Sequence, residues 1–234
     1  MGPITAILFD KDGTLFDFHA SWGDWAAEML DRLAAGDGAR HAALARAVGF
    51  DPDARRFRAD SIAIAATVEE VALRLLPHLP ATDPAHLVDL LNSLAARARM
   101  RPAVPLAPLL DRLAGRGLAL GVATNDAETP TRRHLEAAGI ADRLCFVAGY
   151  DSGHGAKPGP GQLLAFAAAT GRRPAEVLMV GDSRRDLIAG RAAGMGTVGV
   201  LTGTAAAAEL ADLADAVLPD IGHLPALLDR IAAR

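Results

Sequence analysis

Five apolar runs recur along this chain at wide intervals: Thr5–Phe9, Leu118–Ala123, Leu144–Ala148, Val177–Val180 and Thr197–Leu201. The first stops at Asp10, the second at Thr124, the fourth at Gly181 and the last at Thr202. Their apolar character is continuous rather than alternating. Parallel strands covered on both faces require that pattern, whereas a half-solvated antiparallel strand shows a period of two. Amphipathic stretches of helical length lie between the later runs. Leu106–Leu113 stops at Gly115 and Gly117, Thr131–Ala138 at Gly139, Gln162–Thr170 at Gly171, and Ser183–Ala193 at Gly194, the residue type favoured just past a helix end. From residue 101 onward the order is β-α-β-α-β, which predicts an α/β fold with an open, doubly wound (Rossmann-like) parallel sheet.

Residues 16 to 100 follow a different rule. Amphipathic segments occur at Trp25–Leu33, Arg40–Val48, Ser61–Leu76 and Pro84–Arg99, with no buried-strand run among them. This stretch follows the first strand, so it reads as a helical insertion over the carboxyl edge of the sheet. The expected division is a discontinuous core of 1–15 and 101–234 with a helical cap of 16–100, the return marked by Arg101-Pro102-Ala103-Val104-Pro105. With 51% hydrophobic and 22% charged residues, the 234-residue chain has ample material for such a core. Its 4% aromatic content and abundance of Ala and Leu favour helices over a β-sandwich.

Charge and cysteine content narrow the function. A net charge of -4 argues against a nucleic-acid binder, which gathers a basic excess on one face. Cys145 is the only cysteine, so neither an internal disulfide nor a cysteine metal cluster can form. Met1-Gly2-Pro3-Ile4 lacks a basic region followed by an apolar stretch, and Ile62–Val68 is far too short to span a bilayer. The expectation is a soluble cytoplasmic protein, monomeric or homodimeric, without membrane or nucleic-acid partners.

Ligands of open α/β sheets bind beyond the carboxyl ends of the strands. Here those ends carry Asp10-Lys11-Asp12-Gly13-Thr14, then Thr124-Asn125-Asp126, then a polar loop with Lys157-Pro158, then Gly181-Asp182-Ser183 with Asp186 close behind. A pocket holding Asp10, Asp12, Asp182 and Asp186 repels itself and any incoming phosphate. It calls for a hard divalent cation, which with oxygen-only ligands means Mg2+, and for a fixed ammonium such as Lys157. Thr124 adds a hydroxyl donor for phosphoryl oxygens. Asp10, at the strand terminus, is the candidate nucleophile on phosphorus. Asp12 is the candidate acid that protonates the leaving oxygen and then the base that activates water. Gly13 permits a sharp turn near the ligand, and Thr14 is expected to brace the loop by hydrogen bonding.

Asp10-Lys11-Asp12-Gly13-Thr14-Leu15, Thr124-Asn125, Lys157-Pro158 and Gly181-Asp182-Ser183-Arg184-Arg185-Asp186 together resemble, in order and spacing, the four motifs of the haloacid dehalogenase (HAD) superfamily. Each alone is weak evidence; the ordered set is specific. The insertion stands where that superfamily carries its type-1 cap. Asp17 and Ile188–Gly194 resemble the phosphoglycolate phosphatase-like branch. The resemblance implies Asp10 as nucleophile and metal ligand, and Asp12 as acid/base that also offers its backbone carbonyl to Mg2+. It implies Asp182 as a further ligand, and Asp186 as a ligand or a support for water and Lys157. Thr124, Lys157 and the Asn125 amide are the implied phosphate contacts.

Three features depart from the commoner pattern. Lys11 replaces an apolar residue, His19 and Trp22 follow Asp17, and the loop Gly149–Ala156 before Lys157 is rich in glycine and histidine. They bear on the substrate rather than the chemistry, and phosphoglycolate is implied by resemblance alone. Cap packing is the expected role of Trp22 and Trp25; a contact with substrate is weighed for His19, Asp151 and His154, and for Arg55, Arg56 and Arg58 against a solvated face. Gly153-His154-Gly155 is not a dinucleotide fingerprint, lacking the third glycine.

The leading expectation is a phosphatase acting on a small phosphorylated metabolite through a phospho-aspartate. A β-phosphoglucomutase-like phosphotransferase is the alternative within enzymes. Dehalogenation does not need Asp12, and phosphonate cleavage needs a cap lysine that residues 16 to 100 lack. A phospho-acceptor regulatory module would be about half as long and would carry no insertion after its first strand. A silent binding protein would not be expected to retain Asp10, Asp12, Lys157 and Asp182 together.

Overall fold

The computed structural model describes residues 3–58, 60–64 and 66–233. Met1 and Gly2, which entered the reading of the N-terminus, and Ala65, inside the expected third cap helix, lie outside them. In chain order the elements are β1 (Ala6–Phe9), α1 (Phe18–Ala34), α2 (Gly38–Val48), β2 (Phe50–Asp51), β3 (Arg56–Phe57), α3 (Val68–Leu75), α4 (Pro84–Ala95), α5 (Leu106–Ala114) and β4 (Ala119–Ala123). They continue with α6 (Glu128–Ala137), β5 (Phe146–Ala148), α7 (Gly161–Thr170), β6 (Val177–Gly181), α8 (Arg184–Ala193), β7 (Gly196–Val200), α9 (Ala207–Leu210), β8 (Ala216–Leu218) and α10 (Leu224–Ala232).

Among the described residues, six strands form one parallel sheet in the order β5-β4-β1-β6-β7-β8. The chain leaves β1 toward β4 and β5, then returns to β1's other side at β6. β1 is thus central and marks the point where strand order reverses. All four of its residues are fully buried, as their continuous apolar character requires. One face packs Ile7, Phe9, Leu110, Leu113 and Leu228 into a core with α5 and α10. The other packs Leu8, Met179, Phe166 and Ala189 against α7 and α8.

A third apolar cluster belongs to the helices between β1 and α5, built on Met29, Leu30, Leu44, Leu75, Leu87 and Leu91. The chain passes between this cluster and the sheet twice, and the two passages lie side by side. Asp17 N–H donates to the Arg101 carbonyl at 2.8 Å, and Ala103 N–H to that of Leu15 at 2.9 Å. The segment read as a return linker is therefore paired with the outgoing one. Asp17 also caps α1, accepting from Ala20 N–H at 2.8 Å.

Three local expectations change. The segment Ser61–Leu76 divides into a 3-10 turn at Ile62–Ile64 and α3, which starts at a capping box made by Thr67 and Glu70. A two-stranded hairpin, β2–β3, stands where no strand was expected, its pairing brief but backed by Phe50 and Phe57 in contact. β8 adds a sixth strand, only three residues long, and its shortness hid it in the sequence. No helix of the described residues is long and apolar enough to cross a membrane.

The loop after β5 serves the fold. Ala127 starts α6 without a side-chain cap, and Asp151 supplies one from a distance by accepting from Glu128 N–H at 2.8 Å. Ser152 completes the arrangement by donating to Glu128. Asp151→Ala is expected to cost about 1 kcal/mol of stability, the usual value of a lost N-cap, while leaving the Michaelis constant unchanged. Chemical denaturation beside steady-state kinetics checks this, and a shifted Michaelis constant at unchanged stability would return Asp151 to the substrate.

Candidate active site

Asp10 follows β1, Thr124 follows β4 and Asp182 follows β6, so three neighbouring strands deliver three site residues to one sheet edge. The loop before α7 brings Lys157 across them. Its ammonium is buried and donates to Asp10 Oδ1 at 2.6 Å, Asp186 Oδ1 at 2.5 Å and the Ala123 carbonyl at 2.8 Å. Three donors meeting three acceptors is full use of an ammonium group. The Lys157 backbone is fixed as well. Asn125 accepts from its N–H at 2.8 Å and donates to its carbonyl at 2.9 Å. In this structure the Asn125 side chain clamps Lys157, and Gln162 ties the strand end to the loop by donating to the carbonyls of Thr124 and Gly155, both at 3.0 Å.

Asp186 has two attachments. It is the third residue of α8, and it forms a capping box with Ser183, accepting from Ser183 N–H at 3.0 Å and Ser183 Oγ at 2.6 Å. Its other oxygen meets Lys157. The helix-terminal acid and the site residue are therefore the same group in two roles.

The carboxylates of Asp10, Asp182 and Asp186 offer oxygens within 4.8 Å of one another, all buried. Burial lifts Asp10 to about 7 against the pull of Lys157, with Asp186 and Asp12 adding to the rise. Burial also holds Asp182 well above the ordinary carboxylate range, and Asp10 and Asp186 push it further. One ammonium does not neutralise this cluster. An all-oxygen donor set whose members repel each other fits a hard divalent cation.

Glycines shape the cradle. Gly13 has φ +79°, and a Cβ there would stand 2.4 Å from Asp182 Cγ. Gly203, which the motifs did not flag, also approaches the Asp182 carboxylate: its Cβ would fall 1.7 Å from Oδ2. The adjoining Thr202 donates from Oγ1 to the Gly13 carbonyl at 2.6 Å, locking the two loops together. Thr14 is fully buried, but its hydroxyl has no partner among the described residues, so it fills space rather than bracing the loop.

Asp12 is held apart from the carboxylate cluster. Trp22 Nε1 donates to its Oδ1 at 2.7 Å, and Lys11 Nζ reaches Oδ1 at 2.9 Å and Oδ2 at 2.8 Å. Lys11 is fully buried, 3.2 Å from Asp126 Oδ2, 3.2 Å from His134 Nδ1 and 5.0 Å from the centre of the Trp22 ring. Burial works against its charge, but Asp12 and Asp126 outweigh it and raise the ammonium above its ordinary value. His134 Nε2 lies 2.8 Å from the carbonyl of Ala95, at the end of α4. A carbonyl only accepts, which assigns the proton to Nε2 and leaves Nδ1 to accept from Lys11. A chain of contacts thus runs from Asp12 through Lys11 and His134 to the helical segment. His134 was missed in the sequence because nothing near it marks a motif; Lys11 was visible as a departure without a meaning.

Asp10, Asp12, Thr124, Asn125, Lys157, Asp182 and Asp186 all line one cleft. Trp22 and Trp25, expected to serve cap packing, line it too. His19, His154, Arg55, Arg56 and Arg58 do not. His154 rests near the Phe146 ring at 6.4 Å, and Arg55 pairs with Asp24 at 2.8 Å on the surface.

Known proteins resemble this chain in sequence and in fold. The sequence model for haloacid dehalogenase-like hydrolases matches residues 4–194. The chain is 37% identical over 204 residues to a phosphoglycolate phosphatase of Rhodospirillum rubrum, spanning 82% of this chain and 78% of that one. Its fold is similar to a structure described as a predicted phosphoglycolate phosphatase from Haemophilus somnus, with TM-score 0.74, 18% identity and coverage of 97% and 99%. It is also similar to a putative haloacid dehalogenase-like hydrolase from Bacteroides fragilis, with TM-score 0.72, 23% identity and coverage of 94% and 99%.

Two outcomes follow from the geometry. Gly203→Ala displaces Asp182, and a shift of this size is expected to lower kcat/KM roughly 100-fold with the fold retained by circular dichroism. The second concerns acid stability. Burial first, then the charge of Lys11, hold His134 at about 4, below its ordinary 6.5. The unfolded chain therefore takes up this proton first as pH falls. Stability from the neutral ring is complete above about pH 6.5 and is lost as pH falls toward 4. The loss amounts to about 2–3 kcal/mol, and His134→Gln should remove that part of the slope in urea unfolding between the two pH values. Parallel wild-type and variant curves would refute it.

Proposed function

We propose, on the premise that this chain belongs to the haloacid dehalogenase-like hydrolase family and is a phosphatase, that it hydrolyses a small phosphomonoester in a Mg2+-dependent reaction through a phospho-aspartate at Asp10. The observation that carries the reading is the separation of two carboxylates within one cleft. Asp10 is gripped at Oδ1 by Lys157, while Asp12, two residues on, is held by Lys11 and Trp22 outside the acidic cluster. One carboxylate is kept for attack and the other for proton transfer.

Asp10 Oδ2 lies outside the ion pair with Lys157 and attacks phosphorus as the ester P–O bond breaks. Asp12 serves as the acid that passes a proton to the departing oxygen. It then takes a proton from the water that attacks the phosphoryl-aspartate, and release of phosphate restores Asp10. Lys157 and Thr124 stabilise charge on the phosphoryl oxygens at fixed positions, requiring little reorganisation during the reaction. Asp10, Asp182 and Asp186 would hold Mg2+, with the backbone at Asp12 as a further oxygen donor. The cation, when bound, offsets the carboxylate and phosphate charge that otherwise accumulates in the cleft. Residues 16–100 act as a cap on a core of 1–15 and 101–234, excluding water during the transfer. Phosphoglycolate, for which the Rhodospirillum rubrum relative is named, is the reference compound against which the leaving group is judged.

Hydrolysis of p-nitrophenyl phosphate is expected with Mg2+ and is expected to stop on chelation. Asp10→Asn abolishes turnover and phosphoprotein formation. Asp12→Asn lowers kcat by roughly 10²–10⁴ and accumulates phosphoprotein, visible by intact-mass spectrometry after rapid acid quench. Folded Asp10→Asn protein with wild-type turnover would remove Asp10 from the chemistry. A phosphoprotein persisting for hours in the wild type would favour a signalling role.

A further inference from the structure

We propose that the leaving group selected by this phosphatase is uncharged and largely apolar, such as an arylmethyl or branched alkyl group, rather than carboxylate-bearing; this deepens the phosphatase reading above and rests on it. From the carboxylates the cleft continues between residues of the helical segment, where Phe18, Trp25, Phe57, Ile64, Val68 and Val71 form its wall. The rings brace one another. Trp22 and Trp25 meet edge-on with centroids 5.0 Å apart, and Phe18 and Phe57 stand 5.7 Å apart.

The distribution of positive charge works against an anion there. Among the described residues lining the cleft, the cationic side chains are Lys157 and Arg185. Lys157 is held by Asp10 and Asp186, and Arg185 lies 3.2 Å from Glu70. Residues 16–100 contain no lysine, and Arg55 and Arg58 pair with Asp24 and Asp60 away from the cleft. A carboxylate set against the aromatic wall would lose its water and would have to compete with Glu70 for Arg185.

The polar atoms at this end are neutral. Trp25, which lines the cleft, keeps a buried indole N–H without a partner. Asn92 is hydrogen-bonded to Tyr150, and its buried Oδ1 has no partner among the described residues. One donor and one acceptor suit a hydroxyl or an amide on an otherwise apolar group, and neither balances a negative charge.

The test compares benzyl phosphate with phosphoglycolate on the purified full chain with Mg2+. Both are unactivated alkyl esters, so the comparison reports recognition rather than leaving-group reactivity. Benzyl phosphate is expected to have a kcat/KM about tenfold or more above phosphoglycolate, from burial of its ring. Ile64→Arg should reverse that preference. Benzylphosphonate should inhibit p-nitrophenyl phosphate hydrolysis competitively and more tightly than phosphonoacetate, a measurement on the wild type that stands if Ile64→Arg does not fold. Efficient p-nitrophenyl phosphate hydrolysis with phosphoglycolate preferred over benzyl phosphate would overturn this inference and leave the phosphatase reading intact. Absence of turnover on all three esters would overturn both.

Discussion

The site depends on one buried ammonium between two carboxylates. Lys157 joins Asp10, just past β1, to Asp186 on α8, and its third hydrogen bond reaches the end of β4. Removing one partner from a buried ion pair leaves an uncompensated charge, which is why such contacts hold geometry more firmly than their net stability suggests. The surrounding structure serves that contact. Asn125 clamps the lysine backbone, the Ser183 capping box orients Asp186, and Gly13 and Gly203 leave room for Asp182.

The chain has two lysines, and both lie fully or almost fully buried in this region. They divide the acidic groups into two sets. Lys157 sits among carboxylates that remain too crowded to be neutralised by it, which leaves a place for a hard cation. Lys11 sits with Asp12, Asp126 and a neutral His134, so that Asp12 is held by an ammonium and an indole instead of joining the cluster. Two aspartates two residues apart thereby meet different surroundings, the condition under which like groups take different chemical roles.

The Lys11–His134–Ala95 contacts also connect the sheet to the end of α4. Arg185 with Glu70 and Tyr150 with Glu69 and Asn92 make further bridges between the two parts of the chain. The helical segment therefore meets the sheet through polar contacts around the cleft, while its apolar residues pack among themselves and along the cleft wall. The hold on Asp12 and the shape of the cleft depend on the same segment.

Much of the architecture was legible because its causes are local. Apolar runs without alternation announce buried parallel strands, and acids and glycines at their ends announce the site edge. What escaped was short or remote: β8 and the β2–β3 hairpin have too few residues for a periodic signal, and Gly203, His134 and Asn92 carry no motif. Asp151 and His154 looked available because a glycine-rich loop reveals nothing about its neighbours; in the fold Asp151 caps α6. The residues of β1, β4 and β6 announced by themselves that Asp10, Thr124 and Asp182 stand at the carboxyl ends of buried parallel strands, since strand type and side-chain chemistry follow from pattern. Only the tertiary structure decided which acid meets which cation, and that Trp22 and Trp25 rather than Arg55, Arg56 and Arg58 line the cleft. Those outcomes depend on distances between segments about a hundred residues apart, which no local pattern encodes.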